Sequence, residues 1–357
     1  MRVGVVGLGM GLHLALWCRR VGIEVGMVCD RDPARLSAAR DQIPEAAGTD
    51  DWRALLDAGL DGVVLANDFD AHAPLAIAFL ERGVAVLSET AACVDEDEGR
   101  RLIAAAEASS ASYSFAENYP LMPGTRLLRE AVEAGELGRL QLVEADYLHG
   151  LSPDALAELT GDPDHWRGRI APTAYCTHTL SPILSLTGAW PVEVSAFPVD
   201  EGDATTAVVL VVRLSSGTLA VSRFCFLQGE PDGHWSAVTL RGTHAMAESV
   251  RAQGERAWSV RVRREAWATE EGTAAHEEER VPPRVLLDGT EVEREREATV
   301  LLLQGWRDTV ERGRPPLVPV RQAVAASLVG VAGARSLREG SRPVPVTDVS
   351  AGAPAAG

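Results

Sequence analysis

Gly7-Leu8-Gly9-Met10-Gly11 stands between an apolar run, residues 3–6, and an amphipathic stretch, residues 12–19. Glycines at such a junction let the chain turn sharply from a strand into a helix. They also leave the helix N-terminus bare for an anion such as a pyrophosphate. A glycine cluster by itself serves equally well in an ordinary tight turn, so the surrounding order decides. Apolar runs at 25–29, 63–66, 84–87 and 113–116 alternate with helical patterns at 33–42, 52–58, 74–82 and 96–109. Asp32-Pro33 supplies an N-cap followed by proline in the first turn. Short apolar strands between amphipathic helices predict a parallel sheet covered on both faces. Asp30 closes the second run about 20 residues after the glycines, where an acid bonds the ribose hydroxyls of a dinucleotide. Gly7, Gly9, Met10, Gly11 and Asp30 are therefore the expected cofactor-binding residues. Asp30 opposes a 2′-phosphate and so favours NAD, while the adjacent Arg31 leaves NADP open.

Beyond residue 139 the pattern changes. Apolar runs at 140–147, 192–197, 207–214, 219–226, 237–241 and 258–262 succeed one another with turn signals such as Ser215-Ser216-Gly217. That succession predicts a large, mostly antiparallel sheet. A helical pattern covers 178–186. The acidic stretch 268–297 reads as an exposed loop or ribbon, with Glu277-Glu278-Glu279 a solvated face. Helices at 300–312 and 321–338 follow. The run 207–214 is apolar almost throughout, so both faces of the sheet need cover, which predicts a homo-oligomer, dimer or tetramer.

The 357 residues carry 51 acidic and 34 basic side chains, a net charge of -17. A surface that negative repels phosphate backbones and anionic lipid, so neither nucleic acid nor membrane is an expected partner. Every basic residue is arginine. A chain without lysine has no Schiff-base lysine, no lysine general base and no P-loop lysine. The start lacks a charged-then-apolar leader, and no apolar run reaches the roughly 18 residues of a membrane span. Cys18, Cys29, Cys93, Cys176 and Cys225 show no paired spacing, so neither a disulfide framework nor a metal is expected. These features predict a cytoplasmic protein.

The chain resembles the Gfo/Idh/MocA oxidoreductase family from Val3 to about Val346. Val64-Leu65-Ala66-Asn67 with His72 resembles the family's strand end and loop beside the cofactor. Val86-Leu87-Ser88-Glu89-Thr90-Ala91 resembles its Glu-Lys-Pro segment. Ala116-Glu117-Asn118-Tyr119, Gly135-Glu136-Leu137-Gly138-Arg139 and Thr309-Val310-Glu311-Arg312-Gly313-Arg314-Pro315-Pro316 extend the likeness. The resemblance implies an α/β protein: an N-terminal Rossmann dinucleotide-binding domain over 1–120, then a C-terminal α/β domain with a large, mostly antiparallel open sheet over 121–346. The final helices return toward the Rossmann domain, and 347–357 form a frayed tail. It also implies a small sugar-like substrate, with Asn67, His72, Glu89 and Asn118 on the cofactor side. The family's lysine falls at Thr90 and its proline at Ala91. The aspartate it commonly places four residues before an active-site histidine falls at Ala174 if that histidine is His178.

A narrower resemblance concerns Tyr175-Cys176-Thr177-His178, with Pro182 shortly after. It is similar to the Tyr-Pro-Thr-His segment of the NAD-dependent α-N-acetylgalactosaminidases, a branch that also lacks the lysine. Glu117-Asn118, Asp146-Tyr147-Leu148-His149 and His165-Trp166-Arg167 have counterparts there. That branch oxidises a sugar hydroxyl transiently, eliminates the aglycone, adds water and reduces again.

Hydride transfer from a carbinol needs a group of near-neutral pKa to take the hydroxyl proton. His178 is the candidate base. Tyr175 is the candidate proton-transfer partner, its phenol needing nearby positive charge to ionise. His149, Asn118 and Arg167 are substrate candidates. A carboxylate or phosphate clamp would suit Arg167, although Asp162 and Asp164 offer it a plain ion pair. The expected activity is NAD(P)-dependent hydride transfer to or from a sugar, glycoside or cyclitol. The alternatives are redox-assisted glycoside cleavage by a hydrolase or lyase, and a non-catalytic dinucleotide- or sugar-sensing regulator.

Overall fold

Apolar residues with no polar alternation make strands that must be covered on both faces, and the N-terminal sheet is built from these. The computed structural model describes residues 1–160, 166, 170–200, 203–227, 236–269, 272 and 274–351. It separates into one unit of Met1–Asn118 with Thr299–Val324 and another of Tyr119–Ala298 with Ala325–Gly357. In chain order the first unit runs β1 (Arg2–Val6), α1 (Gly11–Arg20), β2 (Glu24–Cys29), α2 (Pro33–Gln42), β3 (Ala47–Thr49) and β4 (Gly62–Leu65). It continues with α3 (His72–Glu81), β5 (Ala85–Ser88), α4 (Glu96–Ala108) and β6 (Tyr113–Phe115). The sheet order is β3-β2-β1-β4-β5-β6, with every pair parallel. The order reverses between β1 and β4, so their carboxyl ends flank the crevice where doubly wound sheets bind ligands.

Local chemistry explains the helix starts. The Ala34 amide donates to the Asp32 carboxylate at 2.8 Å, with Pro33 in the first turn of α2. The Glu98 amide likewise donates to Asp95 at 2.8 Å, and Glu96, Asp97 and Glu98 place negative charge on the first turn of α4. One expectation needs correction here, and one strand was missed. The stretch at 52–58 makes only a single 3-10 turn, Trp52–Leu55. The edge strand β3 was not anticipated, because Ala-Gly-Thr carries no apolar alternation.

The second unit contains α5 (Pro123–Glu133), β7 (Leu140–Gly150), α6 (Pro153–Thr160), α7 (Thr177–Thr187), β8 (Pro191–Asp200), β9 (Asp203–Leu214) and β10 (Leu219–Leu227). These are followed by β11 (Ser236–Gly242), β12 (Ala245–Ser249), β13 (Val260–Arg264), β14 (His276–Arg280) and a small hairpin of β15 (Leu286–Leu287) and β16 (Thr290–Glu291). Two long helices, α8 (Arg294–Arg312) and α9 (Val320–Arg338), are divided between the units, and β17 (Val344–Pro345) ends the sheet. The nine strands lie in the order β14-β13-β12-β11-β7-β10-β9-β8-β17, and among the described pairs only β7 and β10 run parallel. Val143, Ala145, Ala220, Ser222, Leu210 and Val212 share one buried face, onto which α7 packs. The other face carries half-exposed Val209 and Val211 beside Arg213, with Phe197 and Val199 exposed near its edge.

The acidic stretch is in part an ordered ribbon with Glu277 and Glu279 exposed. Part of it is β14, the outer strand, whose register sets Glu279 opposite Arg261 and Glu277 opposite Arg263. Arg256 pairs with Glu279 at 2.9 Å, and Glu136 holds both Arg264 and Arg280. Opposite charges across the ladder replace apolar pairing, and a charged outer strand discourages association along its edge. Among the described residues no helix is long and apolar enough to cross a membrane.

Candidate functional site

The first unit offers a half-site made largely of main chain. Gly7 has φ +84, and a Cβ there would lie 2.4 Å from the Ala66 carbonyl oxygen and 2.5 Å from Asn67 Cα. A Cβ on Gly11 would lie 2.9 Å from Val5 Cγ1, whereas Gly9 has only Arg35 Nη1 nearby, at 3.6 Å. Gly7 and Gly11 thus let the loop close against β1 and the end of β4, and Gly9 leaves its outer side uncovered. Met10 is exposed at 59% and caps α1 without a side-chain hydrogen bond. No side chain at that cap competes with a phosphate for the first-turn amides.

Asp30 sits just after β2 with its side chain 9% exposed. Leu8 N–H donates to Oδ2 at 2.7 Å and Asp32 N–H to Oδ1 at 2.9 Å, so the carboxylate ties the glycine loop to the next turn. Arg31 donates to Asp68 at 2.8 Å. Asn67, Glu89 and Asn118 follow the carboxyl ends of β4, β5 and β6, all half-buried. Asn67 Nδ2 donates to the Asp68 carbonyl at 3.1 Å, while its buried Oδ1 has no partner among the described residues. A cradle that a Cβ would fill, a helix start with no side-chain cap and an orphaned acceptor fit a dinucleotide. His72 is placed differently from a ligand contact. It is 2% exposed, its Nδ1 lies 3.2 Å from the Ala91 carbonyl, and burial lowers its pKa to about 4. The neutral ring donates from Nδ1 and pins the segment after β5 to the start of α3.

The second unit offers a half-site made of side chains. On β7 alternate residues share a face, so Tyr147 and His149 point together and His149 Nε2 is 2.9 Å from the Tyr147 hydroxyl. The His178 ring, in the first turn of α7, stands 4.5 Å from that of Tyr147, 4.8 Å from Tyr119 and 6.0 Å from Tyr175. Phe226 on β10 closes the group, 5.6 Å from His149 and 6.1 Å from Tyr175. Tyr147, His149, Tyr175 and His178 are half-buried. Imidazoles and phenols packed this way can accept, pass and return protons.

Buried hydroxyls hold the Tyr175–His178 segment. Thr173 Oγ1 donates to the Gly330 carbonyl at 2.5 Å, and Thr179 Oγ1 donates to the Cys176 carbonyl at 2.8 Å. The Thr179 and Ser222 hydroxyls are 2.5 Å apart. Gly330 allows the close approach of α9, since a Cβ there would stand 2.8 Å from the Thr173 carbonyl oxygen.

The structure thus brings His149, Tyr175 and His178 together, and adds Tyr119, Tyr147 and Phe226, which sequence reasoning did not single out. The two-residue spacing of Tyr147 and His149 was the available signal. Asp146, one residue before Tyr147, points to the opposite face, where Arg223 at 2.6 Å and Arg251 pair with it. Arg167 lies outside the described residues. Among the described residues no group of three or more His, Cys, Asp or Glu side chains is placed to hold a metal ion.

Comparison with known proteins agrees with this architecture. Residues 1–116 match the oxidoreductase family with an NAD-binding Rossmann fold, and residues 125–248 match the GFO/IDH/MocA C-terminal domain, together about two thirds of the chain. A glycosyl hydrolase family 109 protein of Stenotrophomonas maltophilia is 30% identical over 178 residues, 46% of this chain and 39% of that protein. An alpha-N-acetylgalactosaminidase of Bacteroides fragilis is 23% identical over 249 residues, 65% of this chain and 56% of that protein. The chain therefore spans less than two thirds of the length of these relatives. A levoglucosan dehydrogenase solved with NADH and levoglucosan superposes with TM-score 0.83 at 16% identity, over 98% of this chain and 100% of that one. An oxidoreductase from Agrobacterium radiobacter, solved with NAD+, L-tartaric acid and magnesium, superposes with TM-score 0.76 at 15% identity, over 97% and 98%. At such identity these two structures share the fold. With both of its domains matched, the chain belongs to the Gfo/Idh/MocA family of NAD-binding oxidoreductases.

Proposed function

We propose that this protein transfers hydride between NAD and a hydroxyl or ketone of a sugar, glycoside or cyclitol. The observation that carries the reading is the cluster of Tyr119, Tyr147, His149, Tyr175 and His178, with the Tyr147–His149 contact at 2.9 Å, in a chain that has no lysine. Bound NAD supplies the hydride acceptor, or in the reverse direction the donor. Gly7, Gly9, Met10 and Gly11 with the first turn of α1 hold its pyrophosphate, Asp30 its adenosine ribose, and Asn67, Glu89 and Asn118 the remainder, with His72 fixing the loop beside them. His178 takes the proton of the reacting hydroxyl. Tyr147 and His149 extend the proton path, and Tyr175, its ring 6.0 Å from that of His178, serves the same group. Asn118, His149 and Arg167 orient the substrate, which Arg167 does by pairing with an anionic substituent. The family's lysine position is Thr90, so imidazole and phenol replace the ammonium as acid and base. NADP is the weaker candidate, because Arg31 already pairs with Asp68.

Purified protein supplied with NAD and a panel of sugars, glycosides and cyclitols tests this by NADH absorbance. Net NADH formation in proportion to product is the expected result. NAD binding without turnover on any class would instead favour the regulator.

A second reading, redox-assisted glycoside cleavage, is favoured by the relatives named glycosyl hydrolase family 109 and alpha-N-acetylgalactosaminidase. It leaves no net NADH. Tyr175→Phe separates the two, because a cleaving enzyme without that phenol would accumulate NADH from a glycoside that the parent cleaves without net reduction.

The open sheet face with Phe197, Val199, Val209 and Val211 supports association of two or more copies, which light scattering reads as a dimer or tetramer. Dependence on free NAD and the buried thiols of Cys18, Cys29 and Cys93 favour the cytoplasm.

A further inference from the structure

The charged groups around the end of β2 bear on which dinucleotide the first unit accepts. Arg31 Nη2 lies 2.8 Å from Asp68 Oδ2, with the Arg31 side chain 84% exposed and that of Asp68 36%. A second arginine nearby, Arg35, faces two carboxylates, at 3.8 Å from Asp30 and 3.6 Å from Asp32. Asp30 already accepts from two loop amides. Three carboxylates thus stand against two guanidinium groups, and the end of the strand is net anionic. Asp50 and Asp51, just after β3, deepen that field. Burial and the carboxylates of Asp30, Asp51 and Asp50 together push the Cys29 thiol up to about 11.

A 2′-phosphate brings about 1.5 to 2 negative charges. It needs a guanidinium free to turn toward it, preferably as a two-pronged donor. Arg31 follows Asp30 directly and is the exposed cation at this position, but Asp68 holds it. An unphosphorylated ribose brings no charge and asks only for acceptors. The same arrangement that suits NAD therefore works against NADP twice, by occupying the arginine and by leaving excess negative charge.

We propose that Asp68 sets the preference for NAD over NADP, by holding Arg31 in an ion pair and keeping the adenosine end anionic. This rests on the assignment of that end to the adenosine ribose. An exposed ion pair contributes little to folding, so Asp68 can lose its charge while the fold persists. Its effect on a multiply charged ligand is larger, because each ligand charge feels the change.

The test titrates the full chain with NAD and with NADP by calorimetry, a readout independent of turnover. In Asp68→Asn, NADP should bind about tenfold tighter than in the parent, while NAD moves by less than about threefold. Adding Arg31→Ala should return NADP to within about threefold of the parent. The gain should shrink as salt is raised. An unchanged NADP affinity in Asp68→Asn overturns the proposal. A gain that survives Arg31→Ala also overturns it, because Arg31 would then not be the group released. Asp30→Ala, titrated alongside, isolates the underlying assignment. If that variant binds NAD as the parent does, the placement of the adenosine end is what fails.

Discussion

The two half-sites are made of different material. In the first unit the cradle is main chain, shaped by Gly7 and Gly11 against Val5, Ala66 and Asn67. Its buried side chains, Asp30 and His72, are engaged with loop amides and a loop carbonyl. In the second unit the working groups are rings drawn from four separate stretches of chain, at Tyr119, at Tyr147 and His149, at Tyr175 and His178, and at Phe226. A cradle of amides tolerates most side-chain changes and fails only where a Cβ cannot fit. A cluster of rings depends on each ring and on whatever holds it. Acid and base groups can therefore change while the grip on the cofactor stays constant.

The largest expected effect tests that division directly. His178→Ala should lower kcat by about 10²–10⁴ if the imidazole is the general base. NAD affinity should stay within about twofold, because the ring belongs to the side-chain half-site. Single-turnover kinetics and a separate NAD titration check both. A matching fall in NAD affinity would break the comparison.

His72 sharpens it from the other side, as a titratable group in the cofactor unit that works through structure. Burial lowers its pKa from 6.5 to about 4. The unfolded chain takes up the proton near 6.5, so between those values the unfolded state binds more protons. Stability is therefore full above about pH 6.5 and is lost as pH falls toward and through about 4, by about 2–3 kcal/mol. His72→Asn keeps a donor for the Ala91 carbonyl and removes the titration. Urea unfolding at about pH 7 and pH 4 should show the parent losing more stability than the variant by that amount. Equal losses would mean that the ring is not held neutral.

Much of the first half-site was legible because it is local. The glycines, the acid after β2 and the helix start at Asp32-Pro33 lie close together in sequence, and each acts on its near neighbours. Other features depend on partners far along the chain. A short strand of alanine, glycine and threonine pairs at the edge because β2 presents a ladder to it. His276–Arg280 becomes a strand because arginines on β13 face its glutamates. The helix Pro123–Glu133 was not anticipated, although Leu127, Leu128 and Ala131 form its buried stripe. Tyr119 and Tyr147 stand in recognised segments without a role of their own, and Phe226 gave no signal, since nothing in an isolated aromatic residue tells which end of a sheet it will reach. His149 and His178 were singled out separately, and only the fold shows that both reach the same phenol ring.

Asp30→Ala addresses the acidic side chain that ties the glycine loop to the next turn. Losing charged hydrogen bonds to the ribose should weaken NAD by about 1–3 kcal/mol. Part of that loss comes from the loop, because Leu8 and Asp32 lose their acceptor. Asp30→Asn keeps an acceptor for one amide, so a smaller loss than in the alanine variant is expected by calorimetry. Equal losses in the two variants would assign the whole effect to charge.

The smallest effect concerns the pegs of the second half-site. Thr179 sits one residue after His178, and its hydroxyl bonds both the Cys176 carbonyl and Ser222. Thr179→Val keeps the shape and removes both bonds, which should cost about 1 kcal/mol of stability for each net hydrogen bond lost. Thr179→Ser keeps the hydroxyl and should recover most of it. Stability alone would not tell a peg from any other buried threonine. If Thr179 sets the His178 ring against Tyr147 and Tyr119, then Thr179→Val should lower kcat by about tenfold with substrate KM little changed, and Thr179→Ser should restore it. The pH at which kcat falls by half should shift in the valine variant and not in the serine one, because a displaced imidazole meets different neighbours. A valine variant that loses stability but keeps the parental pH profile and kcat would mean that the side-chain half-site holds its geometry without this peg, as firmly as the main-chain cradle does.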